Sequence, residues 1–202
     1  MTPARFRMML TAIACFGALF SGSVADANAY REKGKAVKVG KSAVTVTPPR
    51  DWNRLDTKPG PDAEVWTLDG EQLNDVTFYV AVPAGKPLVK ERNKKRDPLP
   101  RLRSATLLAE VPELLENTYR AYHNIAKFQL TSSKPERFLQ RDGVHFTYEY
   151  TDGDNLPRKG EARAILLSGK LYMMTFDAPR LHYFDRTVPD FRALAETATL
   201  TG

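Results

Sequence analysis

Between Met173 and Leu194 the chain reads MMTFDAPRLHYFDRTVPDFRAL, which concentrates histidine, aspartate, arginine and tyrosine side chains. His182 and Asp185, with Ser168 a little upstream, supply the base, acid and nucleophile types that a hydrolase requires. Ser168 nevertheless stands in a Ser-Gly pair typical of a hairpin tip, and the aromatic residues before Asp185 suit packing. We therefore predict a corner where the last strand meets the last helix, with Asp185 or Thr187 as the helix cap and no catalytic residue.

Two shorter segments suggest ligand-binding loops but do not meet the spacing that such loops require. Gly40-Lys41-Ser42 lacks the earlier glycine of a phosphate-binding loop, since Lys35 holds that position. Asp152-Gly153-Asp154-Asn155 offers oxygen ligands for calcium, but Leu156 and Pro157 replace a ligand and a glycine of the helix–loop–helix site. We favour a solvated turn there, whose carboxylates accept hydrogen bonds from nearby amides.

The histidine and cysteine content argues against a metal centre. His123, His145 and His182 are far apart and share no ligand spacing. We expect His145 to be half-exposed, because it alternates with Phe146 along a strand and lies on the opposite face. Cys15 is the only cysteine and lies in an apolar amino-terminal segment. The sequence therefore predicts no metal site and no cofactor.

A basic run, KERNKKRDPLPRLR, lies within residues 83–103, which we predict to form a long mobile loop. Aromatic residues are absent from the run, which argues against nucleic acid as a partner. Either the run is a solvated loop, or it contacts anionic lipid headgroups, polyanionic envelope polymers or an acidic protein. The net charge of +6 permits such contacts without requiring them. The candidate contact residues are Lys90, Arg92, Lys94, Lys95, Arg96, Arg101 and Arg103.

The amino terminus has the order of a secretory signal peptide: basic residues, an apolar segment, then small residues at a cleavage site. Ala27-Asn28-Ala29 predicts cleavage between Ala29 and Tyr30, and Ala25-Asp26-Ala27 is an alternative. Removal of residues 1–29 would leave a cysteine-free chain in the periplasm or outside the cell, without a transmembrane segment. A lipid anchor at Cys15 is a further alternative, which the apolar residues after it disfavour.

The elements that must position these side chains begin with strands. Apolar residues alternate from Val37 to Val46 around a Gly-Lys pair, which predicts a hairpin. Residues 65–68 and 75–82 predict two further strands. Apolar residues then recur every three or four positions from Leu108 to Tyr122, which predicts a helix, and Pro112 marks its first turn.

The second half of the chain predicts four strands and a helix. The strands are expected over residues 128–138 with an interruption at Pro135, over 144–151 after an Asp142-Gly143 turn, and over 161–167 and 171–176 around Ser168-Gly169. The last helix is expected over residues 188–200. Since tight turns join most of the strands, the sequence predicts an α+β fold with one antiparallel sheet covered by helices.

The order and spacing of several segments resemble the bacterial envelope proteins related to DcrB and to the PsbP-like fold. These segments include VTVTPPRDWNRL, VWTLDGEQLNDVTFYVAV, GVHFTYEY and HYFDRTVPDFRALAETA. The resemblance implies an α/β/α sandwich without a known active site, in proteins that act in binding or assembly. We thus expect a loose leader over residues 30–35 and one PsbP-like domain over 36–202. The expected function is that of an exported, non-enzymatic module of the cell envelope whose partner is not known.

Overall fold

A computed structural model of the chain describes residues 29–201, and the predicted signal segment before Ala29 lies outside them. The elements in chain order are β1 Ala29–Arg31, β2 Val37–Lys38, β3 Val44–Val46, β4 Trp52–Arg54, β5 Ala63–Thr67, β6 Asp75–Pro83, α1 Val111–His123, β7 Phe128–Phe138, β8 Arg141–Thr151, β9 Pro157–Leu167, β10 Lys170–Pro179, α2 Tyr183–Glu196 and β11 Thr199–Leu200. A short 3₁₀ turn, Leu108–Glu110, precedes α1. No helix among these residues has the length and apolar character needed to cross a bilayer.

The strands form two sheets, although the sequence predicted one. The large sheet has the order β1-β4-β5-β6-β10-β9-β8-β7, and every neighbouring pair is antiparallel. The hairpin of β2 and β3 does not join it. Instead β11 pairs with β3 to give a three-stranded sheet, because Val44 and Val46 turn inward against α2 and the large sheet. The α+β class is therefore correct, but the hairpin belongs to a covering layer.

Each face of the large sheet has its own apolar core. Along β10, Met174 and Phe176 point to the side that α2 and the small sheet cover, which we call the α2 face. Leu171 and Met173 point to the opposite side, covered by α1, which we call the α1 face. This alternation follows from the two-residue period of a strand. Each fully buried Phe or Leu side chain contributes about 1.5–3 kcal/mol to folding relative to an exposed one, so both layers stabilise the domain.

The predicted leader is not loose where the strand β1 forms. Tyr30 pairs with Asn53 of β4, and Lys33 N donates a hydrogen bond to Asp51 Oδ1 at 2.7 Å. Arg31 Nη2 donates to Glu64 Oε1 at 3.4 Å and its guanidinium lies over the Trp66 ring. Arg31 thus neutralises a buried carboxylate, which gives the segment a reason to dock that its polar composition did not reveal.

The β7–β8 hairpin turns earlier than predicted. Leu139 and Gln140 have φ values of 50° and 60°, so these residues form the turn, and Asp142-Gly143 lies within β8. Pro135 does not interrupt β7, because β7 is the edge strand and a missing N–H is tolerated there. The Ser168-Gly169 hairpin is confirmed, with φ values of 51° and 71°.

The two helices differ in how well the sequence located them. Pro112 is in the first turn of α1, as predicted. Helix α2 begins at Tyr183, five residues before the predicted start, and contains Pro189. His182, with φ of 69°, precedes it, so neither Asp185 nor Thr187 is the cap. Thr187 Oγ1 instead donates back to the Tyr183 carbonyl at 2.6 Å.

Candidate functional site

A cleft of about 680 Å³ opens on the α1 face of the large sheet. It lies at the end of the sheet where β8 and β10 finish and β6 and β9 begin. Its walls are the carboxyl end of α1, residues 57–59 before β5, and the turn at Glu71 and Gln72. This volume is within the range of about 300–1,000 Å³ that small-molecule sites occupy.

Two aspartates face each other on the floor of the cleft. Asp75 and Asp177 are direct cross-strand partners on β6 and β10. Asp177 is only 2% exposed, and its Oδ2 accepts hydrogen bonds from the hydroxyls of Tyr119 at 2.7 Å and Tyr148 at 3.1 Å. Within the described chain its second oxygen, Oδ1, has no hydrogen-bond partner. A buried carboxylate therefore keeps one oxygen unused beside the cleft.

Arg158, the second residue of β9, lies beside this pair and is 6% exposed. Its Nη1 donates to the Gln72 carbonyl at 2.9 Å. Its Nη2 is 3.9 Å from Asp75 Oδ1, and Nη1 is 3.7 Å from Asp152 Oδ2, which are ion-pair rather than hydrogen-bond distances. Its Nε has no hydrogen-bond partner among residues 29–201. The guanidinium is therefore held through Nη1 and by its interaction with Tyr150, while its buried Nε is left without a hydrogen-bond partner among these residues.

The aspartate pair binds protons more tightly than isolated carboxyls do. Burial raises the pKa of Asp75 well above its usual value, and the charge of Asp177 raises it further. Burial also raises the pKa of Asp177, although the tyrosine hydroxyls and Arg158 oppose that effect. The two groups thus resist carrying two negative charges together at neutral pH.

Four tyrosines surround the pair on the α1 face. Burial, followed by the charge of Asp177, raises the pKa of Tyr79, Tyr119, Tyr148 and Tyr150, so their hydroxyls remain protonated donors. Tyr148 lies flat over β9 because Gly160 is there: a Cβ at that position would be 2.1 Å from the Tyr148 ring. The β8 alternation that predicted a shared face for Tyr148 and Tyr150 is confirmed.

Basic and aromatic side chains form the rim. The Arg92 guanidinium lies 4.9 Å from the centre of the Tyr122 ring, and both residues line the cleft. His123 is exposed to solvent, yet desolvation by the residues around it lowers its pKa below the ordinary value, and the charges of Arg92 and Arg158 lower it further. His123 is therefore neutral at physiological pH, and Lys58 and Arg92 carry the positive charge of the rim.

A second charged cluster lies on the α2 face, where its ion pairs link side chains of the sheet to α2. Glu161 accepts three hydrogen bonds from Arg192 at 2.7–3.0 Å and lies 3.0 Å from His145 Nε2. Burial raises the pKa of Glu161, but His145 and Arg192 outweigh that effect and bring it to about 2. The His145 side chain is 12% exposed, not half-exposed as predicted, because Glu136 and Glu161 enclose it.

The basic run is partly anchored, in contrast to the predicted mobile loop. No regular element forms between Pro83 and Leu108, yet Leu88, Val89, Leu99 and Leu102 are buried in the core of the α1 face. Arg101 pairs with Glu91 at 2.5 Å, Arg103 lies 3.5 Å from Glu110, and Arg92 contacts Tyr122. Within residues 29–201 the remaining cations form no ion pair and are exposed; they are Lys90, Lys94, Lys95 and Arg96.

The hydrolase-type residues of the sequence are not brought together. Ser168 precedes the first residue of β10 and His182 follows its last, so they lie at opposite ends of a ten-residue strand, which spans roughly 30 Å. Asp185 is on the first turn of α2. Among residues 29–201, no group of three or more His, Cys, Asp or Glu side chains is arranged to hold a metal ion.

The site residues predicted from the sequence include none of the charged residues on the floor of the cleft. Asp177 stands inside the apolar run MMTFDA, and Asp75 begins an apolar strand, so each is a charge in a segment that is otherwise buried. A charged residue within a buried strand is a signal for a functional site. Arg158 gave no comparable signal, because it follows a proline in a polar loop.

Comparison with solved structures identifies the fold. The solution structure of the cyanobacterial PsbP protein from Synechocystis sp. PCC 6803 matches with a TM-score of 0.53 at 16% identity, covering 92% of this chain and 100% of that one. The Ran-binding protein Mog1p of Saccharomyces cerevisiae matches with a TM-score of 0.47 at 10% identity, over 84% and 96% of the two chains. LpqN of Mycobacterium tuberculosis, a protein involved in cell envelope biogenesis, matches with a TM-score of 0.35 at 10% identity, over 89% and 88%.

Only the first of these likenesses is close enough to support a structural conclusion. A scan against protein-family models and a search of curated proteins find no match. The PsbP protein is matched over its whole length, and nearly all of the present chain takes part. The match confirms the fold that the sequence resemblance implied: this chain has the PsbP-like fold.

Proposed function

We propose that the protein is an exported, non-enzymatic binding module of the bacterial cell envelope, and that the cleft on the α1 face holds a small polar ligand. One observation carries the proposal: Asp177 and Arg158 are buried beside the cleft, and each retains an atom that has no hydrogen-bond partner among residues 29–201. A buried polar atom without a hydrogen-bond partner destabilises a fold. A ligand that completes these hydrogen bonds would explain why they are present.

Binding accounts for the arrangement better than catalysis. Asp177 is fixed through Oδ2 by two tyrosine hydroxyls, and Arg158 is fixed through the Gln72 carbonyl. Charged groups that are already oriented lose little freedom when a ligand binds. Export follows from the predicted signal peptide over residues 1–29, and the PsbP-like fold is compatible with this role.

Native mass spectrometry of the protein purified from the envelope of its own host tests the proposal. We expect a co-purified small molecule on the wild type, and at least a tenfold lower occupancy on Asp177→Asn. Asp142→Asn, an exposed aspartate on β8 outside the residues that line the cleft, serves as the matched control. A wild type that carries nothing, and that no compound in a metabolite extract stabilises against heat, contradicts the proposal.

A second candidate function is docking on an anionic surface through the 83–103 loop. Buried apolar residues anchor both ends of the loop in the core of the α1 face. Lys94, Lys95 and Arg96 lie between these anchors and are exposed. Replacing all three with Ala should weaken binding to vesicles that contain anionic phospholipid and reduce its salt dependence. The matched control replaces the exposed Lys41, Lys127 and Lys170. Equal loss in both triple variants would indicate a nonspecific effect of net charge.

The processed amino terminus separates the predicted forms of export. Intact mass of the mature protein distinguishes a chain that starts at Tyr30 from one that starts at Asn28, and both from a chain lipidated at Cys15. We expect the start at Tyr30. A lipid mass would instead show that the protein is anchored to a membrane.

A further inference from the structure

We propose that the ligand of the cleft is a zwitterion, namely a small molecule of the amino-acid class with a free ammonium and a free carboxylate. This inference rests on the proposed function, because it assumes that the cleft binds a ligand. It adds which charges the ligand carries and which side chains receive them.

Arg158 provides the carboxylate position. Within residues 29–201 Nη1 donates to the Gln72 carbonyl, the Tyr150 hydroxyl interacts with the guanidinium, and Nη2 lies 3.9 Å from Asp75, whereas Nε has no hydrogen-bond partner. Nε and Nη2 point to the same side of a guanidinium and together can donate two parallel hydrogen bonds to one carboxylate. Because Arg158 is buried and already fixed, such a pair would be both strong and directional.

Asp177 provides the ammonium position. Its Oδ1 accepts no hydrogen bond from the part of the chain that the structure describes, while Oδ2 accepts hydrogen bonds from Tyr119 and Tyr148. Two further features favour a positive group here. Asp75 is the cross-strand neighbour of Asp177, and α1 ends at His123 on the wall of the cleft, where the carbonyl end of a helix attracts cations.

The two positions lie close together and select against ligands of a single charge. Asp75 is the cross-strand partner of Asp177 and lies 3.9 Å from Arg158 Nη2, so all three groups share one corner of the cleft. A simple cation would approach Arg158, and a simple anion would approach two aspartates. Both would meet an unfavourable charge. A zwitterion satisfies both ends.

The rest of the cleft suits an apolar or aromatic substituent. Val65, Tyr79, Val89 and Ile125 line it together with the charged corner. The volume of about 680 Å³ exceeds what the two charged ends of such a ligand need, so room remains for a side chain beside these residues.

Isothermal titration calorimetry with the twenty standard L-amino acids tests the inference. We expect at least one of them to bind, and its N-acetyl and carboxamide derivatives to bind at least tenfold more weakly. Glucose, putrescine and succinate are included as neutral, cationic and anionic probes, and they should not bind. Asp177→Asn and Arg158→Gln should each weaken binding of the amino acid at least tenfold, whereas Asp142→Asn and Arg141→Gln, both exposed on β8, should leave it unchanged.

The outcomes separate this inference from the proposed function. Binding of glucose, putrescine or succinate without binding of any amino acid overturns the zwitterion and leaves a ligand-binding cleft. Equal affinity for an amino acid and its blocked derivatives overturns it as well. If no probe binds, a co-purified ligand in native mass spectrometry decides: a non-zwitterionic ligand overturns the inference alone, and an empty protein overturns both. If Arg158→Gln does not fold, the affinities of the wild type for the free and the blocked amino acid decide between these outcomes.

Discussion

Asp75 opposes folding once it ionises, because burial and the nearby charge of Asp177 hold its folded-state pKa well above the unfolded value. The free energy of unfolding is therefore highest below the unfolded-state pKa of Asp75 and falls as the pH rises through its folded-state pKa. A residue kept at such an expense is typical of a site in which stability has been given up for function.

Asp75→Asn should therefore stabilise the protein at pH 7. We expect a gain of roughly 1 kcal/mol, or about 2–4 °C in Tm for a chain of this size. The gain should vanish near pH 4, where both forms of the side chain are neutral. Circular dichroism melts between pH 4 and 8 measure it, with Asp142→Asn as a control that should show no such trend. A lower Tm of Asp75→Asn at pH 7 would contradict this account of the pair.

Glu161 behaves in the opposite way, since contacts with His145 and Arg192 lower its pKa to about 2 in spite of burial. Glu161 therefore adds to the free energy of unfolding above its unfolded-state pKa of 4.5, and this contribution is lost as the pH falls towards 2. Glu161→Gln should lower stability at pH 7 by about 1–3 kcal/mol and flatten the acid limb of the pH profile.

Urea unfolding at pH 7 and at pH 3 measures the effect of Glu161→Gln. Glu149→Gln is the control, because its pair with Arg180 is exposed and 3.7 Å long; a change within about 0.5 kcal/mol is expected there. Equal losses of stability in the two variants would show that the buried ion pairs of Glu161 contribute no more than an exposed ion pair does.

At Gly160, strand β9 packs closely against β8, because the Tyr148 ring of β8 fills the space where a side chain would lie. Gly160→Ala should displace that ring and lower stability by about 1–3 kcal/mol. Through Tyr148 it should also disturb the hydrogen bond to Asp177. Gly153→Ala is the control, because a Cβ there meets no atom within 4 Å. Chemical denaturation of both variants decides, and equal stability would exclude the steric argument.

The 83–103 loop should open to protease only at its tip. Buried Leu88, Val89, Leu99 and Leu102 hold both ends, so local unfolding is easiest between them. We expect brief trypsin treatment of the native protein to cut first after Lys94, Lys95 or Arg96, as identified by mass spectrometry. First cuts after Lys90 or Arg101 would show that the anchors do not hold the ends.

The sequence predicted correctly those elements whose structure is set by residues close together in the chain. The hairpins at residues 37–46 and 167–171 follow from alternation and turn residues alone, and both formed. The Leu139-Gln140 turn was missed because its positive φ values fall on residues that rarely adopt them. The start of α2 was missed because packing of Phe184 and Tyr183, rather than a capping side chain, defines it.

At the scale of the whole molecule, the convergence of the residues of the candidate site could not have been predicted from local patterns. Asp75, Arg158 and Asp177 lie on three strands, and Tyr119 comes from α1. They meet because β10 inserts between β6 and β9 in the order of the large sheet. The fold class was within reach, since antiparallel pairing needs only tight turns. The separate small sheet was not, because the pairing of β11 with β3 is long-range.

That last pairing has a consequence for the order in which the protein folds. Thr197 Oγ1 accepts a hydrogen bond from Thr47 N across 150 positions of sequence, and Thr199 and Leu200 complete the sheet that Val44–Val46 begins. Contacts of such long range form late and slowly. A partly synthesised chain therefore lacks the third strand of the small sheet, which can be completed only once residue 200 is available.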